Sequence, residues 1–202
     1  YTSNSGLHNF LVSIGAVKRS KKAKSSKAPS QNQTPATNVT NPTPTDSKSL
    51  VVYFSMSGQT QRAAEEIQRL TNSNIFRIQA ADPYPTTYDS YAQRGDNERR
   101  NNIHPAIRGT ILNWDQYSTI YVGFPTWWQQ PPMIIHTLFD QYNFSGKTIV
   151  PFTTSMSTPM SASMPYIRQM AAPYNATVLN GYRYTGDNAG LRTWLQGLNL
   201  IK

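Results

Sequence analysis

The sequence predicts an α/β domain of three layers, in which helices cover both faces of a doubly wound, five-stranded parallel sheet. Two observations predict it. Five short apolar runs alternate with helical patterns after residue 49, and such an alternation is typical of parallel strands joined by right-handed crossovers. Polar loops follow three of these runs. We expect one domain over residues 49–202, preceded by a disordered tail over residues 1–48.

The tail is predicted from composition. A short apolar patch at 9–17 is followed by a lysine-rich run and then by a tract of Ser, Pro, Asn, Gln and Thr. Such a segment cannot bury enough apolar surface to offset the entropy of ordering. Residues 1–49 carry seven basic and one acidic residue, a net charge of +6, against +9 for the whole chain.

The basic run admits three interpretations. It can be a solvated linker, a spacer that contacts an anionic cell-envelope surface, or a nucleic-acid binding segment. The last is disfavoured because no aromatic residues are interleaved with the lysines and the remaining chain, with twelve basic and nine acidic residues, carries only +3. The chain starts at Tyr1 and has no cysteine. We expect an exported or envelope-tethered protein, with a cytoplasmic location as the alternative.

The elements of the domain follow from hydrophobic periodicity. Apolar runs predict strands, the second of them at a sheet edge, and apolar residues at helical spacing predict the helices. The predicted strands are 50–55, 74–79, 119–124, 147–152 and 176–179. The predicted helices are 60–71, 86–101, one with Pro131 or Pro132 in its first turn, 160–171 and 187–198.

The first strand runs into a loop rich in hydroxyl groups. Helix 60–71 begins directly after it, so the loop is next to N–H groups that have no helical acceptor and to the positive end of the helix dipole. These features indicate an anion site. An ordinary strand-to-helix turn with a Ser or Thr cap is the alternative. The candidate residues are Ser55, Ser57, Gly58, Gln59 and Thr60.

Two further loops are predicted at the same edge. The carboxyl ends of parallel strands meet at one rim of the sheet, where ligands of doubly wound folds bind. Loop 125–132 contributes Pro125, Thr126, Trp127 and Trp128. Loop 153–158 contributes Thr153, Thr154, Ser155 and Ser157.

Four stretches carry a family resemblance. They are VVYFSMSGQT, DPYPTTYDSY, VGFPTWWQQPPM and PFTTSMST. On these motifs, residues 49–200 resemble a flavodoxin of the short-chain type, most closely the single-domain or exported bacterial ones. The resemblance implies a flavodoxin-like strand order of 2-1-3-4-5 and non-covalent FMN as the cofactor.

The resemblance also implies roles for the candidate residues. Ser55, Ser57, Gln59 and Thr60 would hold the FMN phosphate together with amides around Gly58. The group from Pro125 to Trp128 would lie beside the isoalloxazine, with core packing as the alternative role of either tryptophan. The hydroxyls of the third loop would face the polar edge of the flavin.

The functional expectation is an FMN-binding redox protein, either an electron carrier or a small reductase. Its redox partner, a protein or a small electron acceptor, is not identified. The alternative is a flavodoxin-fold binding or surface-tethered module that has lost the cofactor, because Met156 and Ser157 stand where relatives often have glycines. Cysteine chemistry is excluded, and His8, His104 and His136 show no metal-ligand spacing.

Overall fold

The computed structural model describes residues 47–202. The predictions made for residues 1–46, including disorder and contact with an anionic surface, lie outside the described residues. The described chain is attached to the sheet from Lys48 onward, because its carbonyl oxygen accepts hydrogen bonds from the backbone N–H groups of Ser118 and Thr119 at 2.8 and 3.2 Å.

Strands and helices alternate as predicted. The strands are β1 Ser49–Phe54, β2 Asn74–Ile78, β3 Thr119–Pro125, β4 Thr148–Thr154, β5 Thr177–Val178 and β6 Tyr182–Tyr184. The helices are α1 Gln59–Thr71, α2 Tyr88–Arg100, α3 Met133–Gln141, α4 Met160–Ala171 and α5 Asn188–Gly197. Two 3₁₀ turns, Trp114–Gln116 and Ala172–Tyr174, complete the order.

The sheet is parallel, in the order β2-β1-β3-β4-β5, which confirms the predicted topology and the edge position of β2. β6 is an addition that the sequence prediction missed. It also pairs with β4, where Phe152 is opposite Tyr182, so that two short strands share one edge of the sheet.

The core has two halves, one on each face of the sheet. Leu50, Val52 and Phe54 of β1 point to the half that α3 and α4 cover, while Val51 and Tyr53 point to the half covered by α1 and α5. This alternation is the two-residue period of a strand buried on both faces. No helix in the described chain is both long and apolar enough to span a bilayer.

Candidate functional site

The three predicted loops meet around one cleft at the carboxyl edge of the sheet. Its volume is about 530 Å³, which is in the range of small-molecule sites. The predicted residues that line it are Ser57, Gln59, Pro125, Thr126, Trp127, Thr154, Ser155 and Ser157. The other five candidates, Ser55, Gly58, Thr60, Trp128 and Thr153, lie beneath or beside the cleft.

The first loop is shaped by Gly58. Its φ of 85° is left-handed, a conformation that glycine adopts without strain. The Gly58 N–H donates to Ser55 Oγ at 3.2 Å, and its carbonyl accepts the first helical hydrogen bond from Arg62 N at 3.1 Å. No side chain caps α1. The amides of its first turn therefore stay open next to the exposed Ser57 and Gln59.

Ser55 and Thr60 are buried and hold this loop in place. Arg77 of β2 donates to the Ser55 carbonyl at 3.1 Å. Thr60 Oγ1 lies 2.7 Å from Thr154 Oγ1, which joins the start of α1 to the end of β4. Their predicted contact with a phosphate stays a prediction, but their position in the loop has a structural reason of its own.

A second threonine pair joins the other two loops. Thr153 Oγ1 donates to the Phe124 carbonyl at 2.8 Å, so Thr126 Oγ1 supplies the proton of the 2.7 Å bond between Thr126 and Thr153. Thr126 N donates to Thr154 O at 2.9 Å. The predicted loop boundary was wrong here, because β4 continues through Thr154 by pairing with β3 and β6.

Of the predicted loop 153–158, only the four residues 155–158 therefore lie outside β4. The Ser155 hydroxyl donates to the Thr158 carbonyl at 2.5 Å, and Arg183 of β6 donates to the Met156 carbonyl at 3.2 Å. None of the four residues has a positive φ. The path of this loop therefore does not require the glycines that relatives often have.

The second loop is a tight turn that presents both indoles. Trp127 and Gln130 exchange backbone hydrogen bonds of 3.0 Å. Between them Trp128 and Gln129 have φ values of 47° and 64°, the pattern of a type I′ turn. Trp127 is half-buried and lines the cleft, whereas Trp128 is 44% exposed and lies outside it.

Trp127 is held by an aromatic cluster. Its ring centroid lies 5.7 Å from that of Phe54, 5.8 Å from that of Tyr84, and 5.7 Å from that of Tyr91, on which it stacks at 18°. Gly95 of α2 makes room for it, since a Cβ there would come within 2.8 Å of the Trp127 indole. The indole that faces the cleft is thus fixed from three sides.

Beneath Trp127 lies a buried polar network. The Tyr84 hydroxyl donates to Glu98 at 2.6 Å, and Arg94 Nε donates to the same carboxylate at 2.8 Å. Burial, together with the bond to Glu98, raises the pKa of Tyr84. Tyr84 therefore stays protonated and donates the hydrogen bond that anchors its ring in the aromatic cluster.

Comparison with known proteins agrees with this architecture. The sequence profile of the flavodoxin family matches residues 48–196. The chain belongs to the flavodoxin family. No protein with a curated description matches the chain.

Solved structures of other proteins share the flavodoxin fold. A provisionally assigned flavoprotein from Bacteroides eggerthii is 29% identical, with a TM-score of 0.67 over 76% of this chain and 98% of that one. One from Bacteroides uniformis is 30% identical, with a TM-score of 0.66 over 73% and 97%. A Lactobacillus acidophilus flavoprotein in complex with FMN is 23% identical, with a TM-score of 0.62 over 72% and 97%.

The cleft of this flavodoxin is also lined by residues that are not among the thirteen predicted candidates. Thr158, Tyr184 and Thr185 line it, and so does Tyr88, which is 71% exposed. Tyr184 and Thr185 lie at the end of β6, and the three residues of Tyr182–Tyr184 are too few to give a periodic signal that could have found them. No carboxylate and no basic side chain line the described cleft, which leaves hydroxyls, amides and one indole as its chemistry.

Proposed function

We propose that this flavodoxin-family domain binds FMN non-covalently in the cleft and works as an electron-transfer protein or small reductase. One observation carries the proposal. The uncapped start of α1, the hydroxyls of the third loop and the Trp127 indole all face one cleft of suitable size. When bound, FMN supplies one- and two-electron redox chemistry, and the protein supplies binding and electrostatics.

The first loop suits the phosphate end of FMN. Backbone amides at a helix N-terminus bind anions through their free N–H groups and the helix dipole. Gly58 carries no side chain, and nothing lies within 4 Å of the position a Cβ would take. Ser57 and Gln59 add polar side chains. The absence of acidic residues in the first turn of α1 means that no like charge opposes the phosphate.

The second and third loops suit the ring end. An indole beside a flavin contributes apolar burial and dispersion, and Trp127 is the tryptophan that faces the cleft. Thr154, Ser155 and Ser157 line the same cleft, and their hydroxyl oxygens can accept hydrogen bonds from polar ring atoms. The FMN complex of the Lactobacillus acidophilus protein supports the choice of this cofactor.

FMN titration tests the proposal. Purified protein, stripped of any flavin, is titrated with FMN while flavin fluorescence is followed. We expect saturable binding with one FMN per chain and quenching by the adjacent indole. Riboflavin, which lacks the phosphate, is the matched control ligand and should bind at least tenfold more weakly. A protein that leaves FMN fluorescence unchanged at high protein concentration would favour the cofactor-free binding module instead.

A further inference from the structure

A second concavity adjoins the flavin cleft. It lies between the second loop and the start of α2 and has a volume of about 200 Å³. We call it the aromatic slot. Its lining residues are Tyr88, Tyr91, Ala92, Thr126, Trp127 and Trp128.

The walls of the aromatic slot are rings. Tyr88 and Tyr91 meet edge to face at a centroid distance of 5.4 Å, and Trp127 and Trp128 do so at 6.3 Å. No carboxylate, lysine or arginine lines it. The hydroxyls of Tyr88 and Tyr91 make no hydrogen bond within residues 47–202. The slot therefore offers aromatic faces and two free hydroxyls, which favours a neutral aromatic ligand over a nucleotide or another charged molecule.

The outer wall is held in place at an energetic cost. Trp128 sits in the left-handed region with a φ of 47°, which is uncommon for a large side chain. The Arg99 guanidinium lies 5.8 Å from the centroid of its ring. Gly95 lets the indoles rest on α2, because a Cβ there would come within 3.3 Å of the Trp128 ring. Strain of this kind concentrates at ligand sites, and here it lies in the turn that exposes the Trp128 indole.

Size and position complete the inference. An apolar cavity of about 150 Å³ holds one benzene, so the aromatic slot has room for one or two fused rings. It shares Tyr88, Thr126 and Trp127 with the flavin cleft. We propose that the aromatic slot binds a neutral planar aromatic molecule of one or two rings. The position of that molecule beside a flavin and its role as a small redox partner rest on the proposed function.

Indole NMR signals test the inference on the apo-protein. The four tryptophans, Trp114, Trp127, Trp128 and Trp194, give four indole N–H signals, which single substitutions to phenylalanine assign. With naphthoquinone as the probe, the Trp127 and Trp128 signals should shift saturably while the other two stay unchanged. The probe naphthalene sulfonate, of similar size but charged, should bind at least tenfold more weakly.

Two matched variants locate the binding. Ala92→Leu fills the aromatic slot from α2 and should weaken naphthoquinone binding at least tenfold, with FMN affinity changed less than twofold. Gln93→Leu makes a similar change at the next, exposed position of the helix and should leave both affinities unchanged.

The outcomes are distinct. If FMN displaces naphthoquinone, or if Ala92→Leu binds naphthoquinone with normal affinity, the probe does not occupy the aromatic slot. Either result overturns the inference. No shift of the Trp127 and Trp128 signals at millimolar naphthoquinone, or equal binding of the sulfonate, overturns it as well. If FMN fails to bind while naphthoquinone still shifts both signals, the slot stands and the proposed redox function falls.

Discussion

The first and second loops use the same backbone conformation in opposite ways. Both loops contain residues with a left-handed backbone conformation, which is strained for every residue except glycine. The first loop places Gly58 there, with a φ of 85°, whereas the second places Trp128 and Gln129, with φ values of 47° and 64°. One loop omits the side chain and the other displays it.

The difference follows from what each loop presents. The amides at the start of a helix bind an anion only if the anion can come close to the backbone. Gly58 has no side chain that would block this approach. The second loop presents indoles, and the strain of about 1–2 kcal/mol for each left-handed residue is offset by packing of Trp127 on Phe54, Tyr84 and Tyr91. The position at which a glycine is missing is therefore as informative as the position at which one occurs.

The largest effect is expected for Trp127→Ala. Removing an indole packed on three rings should cost about 3 kcal/mol of unfolding free energy, measured by urea denaturation, and weaken FMN binding more than tenfold. Trp194→Ala is the control, because Trp194 stacks on Tyr182 at 5.2 Å but does not line the cleft. It should lose stability and keep FMN affinity. Equal loss of FMN affinity in both variants would refute a specific role for the second loop.

Gly58→Ala tests the first loop. The methyl group is strained at a φ of 85°, so the variant should lose about 1–2 kcal/mol, and FMN affinity should fall at least tenfold. Gly146→Ala carries the same strain at a φ of 74°. Gly146 lies in the turn before β4, at the end of that strand opposite the three loops. The Gly146→Ala variant should lose comparable stability with unchanged FMN affinity. If both variants keep FMN affinity, the amides of the first turn do not hold the phosphate.

Thr60→Val tests the tie between the first loop and β4. It leaves the Thr154 hydroxyl, which is only 8% exposed, without its 2.7 Å partner. An unpaired buried hydroxyl costs about 1–3 kcal/mol, which thermal or urea unfolding measures. In Thr193→Val, an exposed threonine of α5 loses a bond to the Ala189 carbonyl, with a change of no more than about 0.5 kcal/mol. Similar losses in the two variants would show that the tie contributes nothing special.

The smallest effect has the opposite sign. Gln129→Gly should stabilise the protein by about 0.5–1 kcal/mol, because relief of left-handed strain exceeds the added entropy of the unfolded chain. Gln130→Gly, one residue later and without a positive φ, should destabilise it. Urea unfolding of both variants gives the comparison. If Gln129→Gly is also destabilising, the second loop is not strained at this position.

Much of the fold was predictable because its signals are local. The apolar runs and helical spacings predicted β1 to β5 in order, and the loops after β1, β3 and β4 do meet around one cleft. β6 was missed because three residues, Tyr182–Tyr184, are too few for a period to show. The boundary at Thr154 was wrong because hydroxyl residues favour loops locally, while pairing with β3 and β6 keeps Thr153 and Thr154 in the sheet.

The sequence by itself determined the layered sheet, the family and the three loops. The alternation of strands with helices and the residue types of the turns are local features that neighbouring residues specify. Only the tertiary structure decided which tryptophan faces the cleft, that Thr60 and Thr154 are joined, and that an aromatic slot lies behind Trp127. It also brought the rings of His104 and His136 to a centroid distance of 5.2 Å. These pairings depend on strand register and on how α2 packs, which no local pattern specifies.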